Sequence, residues 1–333
     1  MSTKYLIMNK TIQNFVNIIR SGGKVNNLAA ALLFIAVAIV LLAQGCASLS
    51  RSQLKSVNEF AVACDSLSAY PSLIGSEMAE IRKERGIWYA VTLENPVLRH
   101  SELNATYSIS KNAASSSAGL DASLKILQKY SRALASLSHD NRVADPGREF
   151  RSAGRALDSL IGSFNSYKIS RPLPVGITAT AGKIVGFGAE LSAHNARTKA
   201  LREFITEGDT LISVLSENLA EILSGSEIRA LIQNEREGLQ SNYLAFLKMT
   251  RPYENISEDR RYINLMERAG SLEEIRKSSV SAVRSLRRAH SKMAAEIMRK
   301  KSFTEARLQI DEFITEVQSL SKAAGKAIRK INN

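Results

Sequence analysis

Turn-forming residues and cysteine are scarce in this chain of 333 residues, which holds 6 prolines, 18 glycines and 2 cysteines. A many-stranded sheet needs prolines and glycines at its frequent turns, so their scarcity argues against such a sheet and favours long helices. Hydrophobic residues make up 44% of the sequence, which is ordinary for a globular protein and argues against general disorder. The composition therefore predicts a folded and largely helical protein.

Acidic residues are absent before Cys46, where the charged residues are all basic: Lys4, Lys10, Arg20 and Lys24. Residues 28–43 then form an unbroken run of sixteen apolar residues, which is followed by Gln44, Gly45 and Cys46. A positively charged start, an apolar core and a small residue before the cleavage site are the parts of a secretory signal peptide. The sequence therefore predicts that residues 1–45 are a signal segment that directs the rest of the chain out of the cytoplasm.

The end of this segment, Leu-Ala-Gln-Gly-Cys at residues 42–46, resembles the lipobox of bacterial lipoprotein precursors. The resemblance implies cleavage between Gly45 and Cys46 and attachment of a lipid to Cys46, which becomes the first mature residue. Gln44 departs from the pattern, since a small residue is usual at its position. Because Ala47 and not an aspartate follows the cysteine, the resemblance also implies the outer membrane, with the body facing the periplasm, in preference to the inner membrane.

Two alternatives to a lipid anchor follow from the same residues. Sixteen apolar residues lie between the length of a signal core and the roughly 18 that a spanning helix needs, so the run could stay uncleaved as a transmembrane anchor. A disulfide between Cys46 and Cys64 would require Cys46 to stay unlipidated. If Cys46 is lipidated, Cys64 is an unpaired thiol, and we expect it to be buried on a helix.

Apolar residues after Cys46 recur in alternating steps of three and four, the spacing of a helix with one buried face. Two such stripes cover residues 120–137 and 150–164, and breaks with turn-forming residues occur at 139–147, 171–176, 224–227 and 251–252. The longest stripe predicts a coiled-coil-like helix and consists of Phe303, Ala306, Ile310, Phe313, Val317, Leu320, Ala324, Ala327 and Ile331.

These patterns predict an all-α protein, an elongated antiparallel bundle of seven to nine helices that follows a hydrophobic signal or anchor helix. We expect residues 46–117 to form N-terminal helices and, over 92–117, a polar surface excursion, because this stretch is rich in Ser and Asn and aperiodic. Residues 118–333 are expected to form the body of the bundle.

Two stretches of the body, LQKYSRALASL at 127–137 and NYLAFL at 242–247, resemble helices of uncharacterised all-helical lipoproteins of proteobacteria. The likeness covers the body loosely and depends mostly on leucine and alanine at helical spacing. It implies the same fold and the same location in the cell envelope. It implies no activity, since none is established for that group.

Positive charge exceeds negative charge, with 45 basic and 32 acidic residues and a net charge of +13. This balance predicts attraction to anionic surfaces, and the secretion signal argues against nucleic acid as the partner. Nine basic residues and one acid lie within 276–301, whereas eight acids and two basic residues lie within 203–237. The two segments form either complementary faces of antiparallel helices or an anion-binding face for envelope lipids or an acidic protein. The candidate residues of that face are Arg284, Arg287, Arg288 and Lys292.

No known catalytic, cofactor or metal motif occurs in the sequence. The glycine-rich segment 176–190 lacks the spacing of a phosphate loop, so we expect a closely packed helix there, with insertion into a membrane or contact with a partner as the alternative. The four histidines are far apart, and His290 lies on an apolar stripe, so we expect it in the core. We therefore expect a membrane-anchored, non-catalytic binding or structural protein without cofactor or metal. The alternatives are a single-pass membrane protein with an exported helical domain and an enzyme with an unrecognised site.

Overall fold

The computed structural model describes residues 49–116, 118–138, 146–166, 171–175, 194–249, 256–299 and 302–331. Nine α-helices and no strand occur in this part of the chain, within one compact unit that spans Ser48–Asn333, so the all-α prediction is confirmed there. The helices are α1 (Arg51–Ala69), α2 (Leu73–Val91), α3 (Pro96–Ser116), α4 (Ala118–Ser138), α5 (Pro146–Ser166), α6 (His194–Ser224), α7 (Ser226–Met249), α8 (Ile256–Met298) and α9 (Thr304–Ile331).

Helix α1 begins with a reciprocal cap. The Ser50 hydroxyl accepts a hydrogen bond from the Gln53 backbone N–H at 3.2 Å, and the Gln53 side-chain oxygen accepts one from the Ser50 N–H at 2.8 Å. This capping box satisfies two backbone donors that the start of a helix leaves without partners. Leu49, just before the cap, is buried. This buried residue is three positions after Cys46 in the sequence.

Helix α8 passes through two groups of helices that share one continuous hydrophobic core. We call α1, α4, α5, α6, α9 and residues 274–298 of α8 the α1 group. We call α2, α3, α7 and residues 256–273 of α8 the α2 group. Because α1 and α2 pack against helices from the later part of the chain, residues before and after position 117 contribute to the same core.

The directions of the helices in the α1 group follow from their contacts. Contacting residues run in opposite order along α6 and α8 and along α8 and α9, and in the same order along α1 and α9. These contacts are Asp209–His290 and Leu223–Arg276, Arg288–Glu312 and Glu274–Lys326, and Glu59–Arg307 and Tyr70–Ser321. The N-termini of α1, α6 and α9 and the C-terminus of α8 therefore lie at one end of the group.

The predicted apolar stripes face the core. In the α4 stripe all six residues are buried: Leu120, Leu124, Leu127, Tyr130, Leu134 and Leu137. In the stripe that runs along α9, every described member from Phe303 to Ala327 is buried. In α5, Phe150 and Phe164 are fully packed, whereas Leu160 is half-buried. Full burial of a Leu or Phe side chain contributes about 1.5–3 kcal/mol, so these stripes account for much of the stability of the fold.

The polar stretch at 92–117 differs from our prediction, because most of it is helical. The Asn95 side chain accepts from the backbone N–H groups of Val97 and Leu98, at 2.9 and 3.3 Å, and Pro96 occupies the first helical position. An Asn cap followed by Pro favours a helix start, and this signal outweighs the missing periodicity. The first turns of α3 are exposed, and α3 packs on α2 where Thr106 lies against Gly86.

Several other predictions concern the connections between helices. The break at 224–227 is confirmed, since α6 ends at Ser224 and α7 begins at Ser226, and residues 171–175 are non-helical as predicted.

The signal segment, the lipobox residues Gly45 and Cys46, and the glycine-rich segment 176–190 lie outside the described residues. None of the helices in the described part has both the length and the apolar character that a membrane span needs.

Candidate binding pocket and buried polar networks

The four basic residues predicted to bind anions lie along α8, and three of them form ion pairs with glutamates of neighbouring helices. The pairs are Arg287–Glu217 at 2.7 Å, Arg288–Glu312 at 2.5 Å and Lys292–Glu305. Arg284 is exposed. The Arg287 pair joins α8 to α6, as complementary faces of two antiparallel helices would. An external anion would compete with these carboxylates, and the anion-binding role of the face stays a prediction.

His290 lies at the centre of the α1 group with no exposed surface, so its predicted place in the core is confirmed. Its Nδ1 lies 3.0 Å from Asp209 Oδ1, and its Nε2 lies 2.6 Å from the Tyr130 hydroxyl. A carboxylate only accepts hydrogen bonds, so Nδ1 carries a proton, and in the neutral imidazole Nε2 accepts from Tyr130. The Ser291 hydroxyl donates to the same Asp209 oxygen at 2.9 Å. The arrangement links α4, α6 and α8 through one chain of hydrogen bonds.

Burial and hydrogen bonding shift the pKa values of side chains in this network and of the nearby Cys64 thiol. Burial raises the pKa of the Cys64 thiol and that of the Tyr130 hydroxyl, so both stay protonated at neutral pH. Partial burial also acts to raise the pKa of Asp209, but hydrogen bonds from His290 and Ser291 outweigh it and hold that pKa below its usual range. Cys64 is a free thiol buried on α1, as predicted. Tyr130, His290 and Cys64 are fully buried. We therefore infer that the hydrogen bonds of this network stabilise the packing of the core.

Three glutamates of the α2 group are buried and paired with arginines of neighbouring helices. The pairs are Glu77–Arg268 at 2.8 Å, Glu84–Arg261, and Glu235 with both Arg82 and Arg85. Arg82 Nε donates to one Glu235 oxygen at 2.7 Å, and Arg85 Nε lies 2.9 Å from the other. Gly238 permits this packing, since a Cβ there would lie 1.8 Å from an Arg85 nitrogen. These ion pairs join α2 to α7 and α8.

A cavity of about 610 Å³ opens beside the break between α6 and α7. Its walls come from α2, the first turns of α4, the last turns of α6 and the first turns of α7. Most of the wall is apolar, with side chains from Ile74, Met78, Leu120, Ile222, Ile228 and Leu231. A concave, largely apolar site with a few polar groups is the usual form of a small-molecule pocket. We call this site the α6–α7 pocket.

The polar groups of the α6–α7 pocket are mostly acceptors. Asn218 is 1% exposed, and its Nδ2 donates to the Arg171 carbonyl at 2.9 Å, which fixes the orientation of the amide. Its Oδ1 is buried and accepts from no group among the described residues. Glu221 and Glu227 add exposed carboxylates, and Glu235 is paired with Arg82. The lining charges are therefore three negative and one positive.

The pocket was not predicted, because its residues come from four helices and form no local motif. The helix break at 224–226 was its one sequence signal, and we interpreted that break as a connection. Within the described residues, no three His, Cys, Asp or Glu side chains are grouped as ligands for a metal ion. We compared the chain with protein-family models, curated proteins and solved structures, and none of these comparisons found a match.

Proposed function

We propose that the chain is a lipoprotein of the bacterial cell envelope, with residues 1–45 as a cleaved signal segment and a lipid on Cys46. Its elongated, coiled-coil-like helical body acts as a non-catalytic binding or structural protein that faces the periplasm, at the outer membrane. One observation carries the proposal: the apolar run at 28–43 leads directly to Gly45 and Cys46, and only basic residues carry charge before it.

The short distance between Cys46 and the folded body supports this proposal. Leu49, three residues after Cys46, is buried, and the capped helix α1 follows it directly. Three residues of extended chain span at most about 10 Å. A lipid on Cys46 would therefore hold this end of the body against the membrane surface. The same end of the α1 group contains the C-terminus of α8.

Exposed basic side chains at this end suit a membrane surface. Arg51 and Lys55 lie in the first turns of α1, and Arg299 follows the last turn of α8. No acidic residue lies in the first turn of α1, although the helix N-terminus favours negative charge. Anionic headgroups would supply that charge, and a lipid chain combined with basic residues anchors a protein more firmly than one chain does. An acidic envelope protein is the other partner that such residues suit.

The test is the substitution Cys46→Ala in cells that express the full chain. We expect the wild-type protein to incorporate a clickable palmitate analogue and to fractionate with membranes. The variant should lose the label and accumulate as a longer precursor, because the lipidated cysteine directs cleavage. Cys64→Ala is the matched control, and its label should equal that of the wild type. A wild-type protein that is unlabelled, or that keeps residues 1–45, would contradict the lipoprotein proposal and favour a transmembrane anchor.

A further inference from the structure

We propose that a second copy of this chain binds to the outer face of α8, in an antiparallel pair of α8 helices related by a two-fold axis. The face consists of Ile256, Ile263 and Gly270, and we call it the α8 stripe. The inference goes beyond the proposed function and does not depend on a lipid at Cys46, because the α8 stripe belongs to one helix of the described body. About 50 Å of helix separates Ile263 from the C-terminus of α8.

The α8 stripe is exposed along its whole length. Ile256 and Ile263 are 64% and 57% exposed, and a Cβ at the exposed Gly270 meets no atom within 4 Å. Successive members are seven residues apart, which is close to two helical turns, so they lie along one side of α8. The other side is packed, since Leu265 and Leu272 are buried. Contiguous exposed apolar surface of this kind marks an interaction site.

The α8 stripe is its own complement. Ile256 and Gly270 lie at equal distances on either side of Ile263, so a two-fold axis at Ile263 pairs that residue with its own copy. The same axis places Ile256 of each copy against Gly270 of the other, a large side chain against an open position. The two surfaces of such an interface are the same patch, as in most symmetric dimers. Gly270 also permits close approach, since the distance between packed helices depends on the side chains at the contact.

Charge favours a second copy over an anionic membrane at this position. Residues 236–267, which contain the end of α7 and the start of α8, include five basic and five acidic residues, although the chain has a net charge of +13. Two copies therefore meet here without net repulsion, and anionic headgroups gain nothing from this stretch. The two-fold axis also brings Arg260 of one copy level with Glu267 of the other. Glu267 has an interaction within its own chain as well, so the apolar contacts decide the pairing.

Helix α7 widens the apolar surface beside the α8 stripe. The rings of Tyr243 and Tyr262 are stacked with centroids 4.3 Å apart, so the end of α7 lies along the first turns of α8. Leu244 and Leu247 are exposed in this part of α7. One pair of helices with these flanking side chains buries less area than the roughly 1,200–2,000 Å² of a standard interface, so we expect a weak dimer with a micromolar dissociation constant.

The antiparallel arrangement places the two anchored ends at opposite ends of the dimer. The C-termini of the two α8 helices point away from each other and are about 100 Å apart. Both lipids reach the same membrane when the dimer lies along its surface.

Disulfide cross-linking tests the pairing. Ile263→Cys is introduced into the full chain, which is purified in detergent at micromolar concentration and oxidised with copper phenanthroline. We expect a disulfide-linked dimer on a non-reducing gel, because the two-fold axis brings the two copies of position 263 together. Leu308→Cys is the matched control, since Leu308 is exposed on α9 outside the α8 stripe, and it should give no dimer above the wild-type level.

The register of the pair is tested with two further cysteines. The two copies of position 256 lie about 21 Å apart along the helix axis, too far for a disulfide, whose Cα atoms are less than about 7 Å apart. Ile256→Cys alone should therefore give no dimer, whereas a mixture of Ile256→Cys and Gly270→Cys chains should cross-link. A dimer of Ile256→Cys alone, equal cross-linking of Leu308→Cys and Ile263→Cys, or absence of a dimer of Ile263→Cys would overturn the proposal.

Gly270→Gln tests the contact without disturbing the fold, because a side chain at this position has open space in one copy but meets Ile256 of the second copy. In the Ile263→Cys background it should lower the yield of dimer about tenfold and should not lower the thermal unfolding temperature. Gly162→Gln is the matched control, since a Cβ at Gly162 also meets no atom within 4 Å, and the yield should be unchanged. An undiminished yield with Gly270→Gln would contradict the proposal.

Two results distinguish this inference from the lipoprotein proposal. A protein that is lipidated but gives no cross-linked dimer would refute the pairing of the α8 stripe alone. A protein that forms the dimer but carries no lipid would refute the anchor alone.

Discussion

The α1 group and the α2 group bury polar side chains in different ways. The α1 group is packed mainly with apolar and aromatic side chains around the hydrogen-bonded chain of Tyr130, His290 and Asp209, of which Tyr130 and His290 are buried. The α2 group instead buries Glu77 and Glu235 against arginines, and it also contains the stacked rings of Tyr243 and Tyr262, whose centroids are 4.3 Å apart. Ion pairs with a buried carboxylate thus join the helices of the α2 group, whereas the ion pairs between helices of the α1 group lie nearer the surface.

This difference predicts how much stability each region loses when one side chain is removed. Removing an apolar contact leaves a space that neighbours partly fill, whereas removing one member of a buried ion pair leaves a charge without a counter-charge. Two glutamates allow the effect of burial to be compared directly. Glu235 pairs with two arginines in the interior, whereas Glu217 pairs with two arginines near the surface. The predictions that follow test these contrasts, from the largest expected effect to the smallest.

Glu235→Ala should cause the largest loss of stability. It leaves Arg82 and Arg85 partly buried and without a carboxylate, and we expect the free energy of unfolding to fall by about 3 kcal/mol. Glu217→Ala is the matched control, because Glu217 pairs with Arg171 and Arg287, which are about half exposed, so the loss should be about 0.5 kcal/mol. Urea unfolding followed by far-ultraviolet circular dichroism measures both. Equal losses would show that burial does not distinguish the two clusters.

Gly208→Ala tests how tightly the α1 group is packed around Tyr130. A Cβ at position 208 would lie 2.5 Å from the Tyr130 hydroxyl oxygen, so the ring must shift and disturb its bond to His290. We expect a loss of about 1–3 kcal/mol. At Gly270, on an exposed face of α8, a Cβ meets no atom within 4 Å, so Gly270→Ala should stabilise the protein by about 0.5–1 kcal/mol. A stabilising Gly208→Ala would contradict the packing described for the network.

Acid should remove the smallest of these contributions, that of Asp209. Its pKa in the folded protein lies below the ordinary value of 3.8, so it stabilises the fold above about pH 4 and loses that effect as the pH falls through the lowered pKa. The carboxylate is more than a third exposed, so we expect at most about 1 kcal/mol. The stability difference between the wild type and Asp209→Asn should shrink below pH 4, measured by urea unfolding. A difference that grows on acidification would reverse the assigned sign.

The α1 group was largely predictable from the sequence, and the α2 group was not. Periodic leucines in α4 and periodic apolar residues in α9 marked their buried faces, because apolar burial repeats with the period of the helix. In the α2 group, Glu77 and Arg268 occupy buried positions that a periodic pattern counts as polar surface. Their burial depends on each other across 191 residues of sequence, and no local pattern records such a pair.

The candidate sites also differ in how far the sequence could predict them. Cys46 could be proposed from the sequence because the pattern of a signal segment and its cleavage site is local in sequence. The α6–α7 pocket was not found, because Asn218, Ile74 and Leu120 lie far apart along the chain and are brought together by packing. The basic run on α8 was found as a run, but its pairing with Glu217, Glu305 and Glu312 required the directions of α6 and α9.

Mass analysis of the N-terminal peptide of the native protein, released from membranes by protease, tests the central claim most directly. We predict a peptide that starts at Cys46 and carries the mass of attached acyl chains. An unmodified peptide that contains residues from the apolar run at 28–43 would contradict the claim, because the body would then be held by a spanning helix.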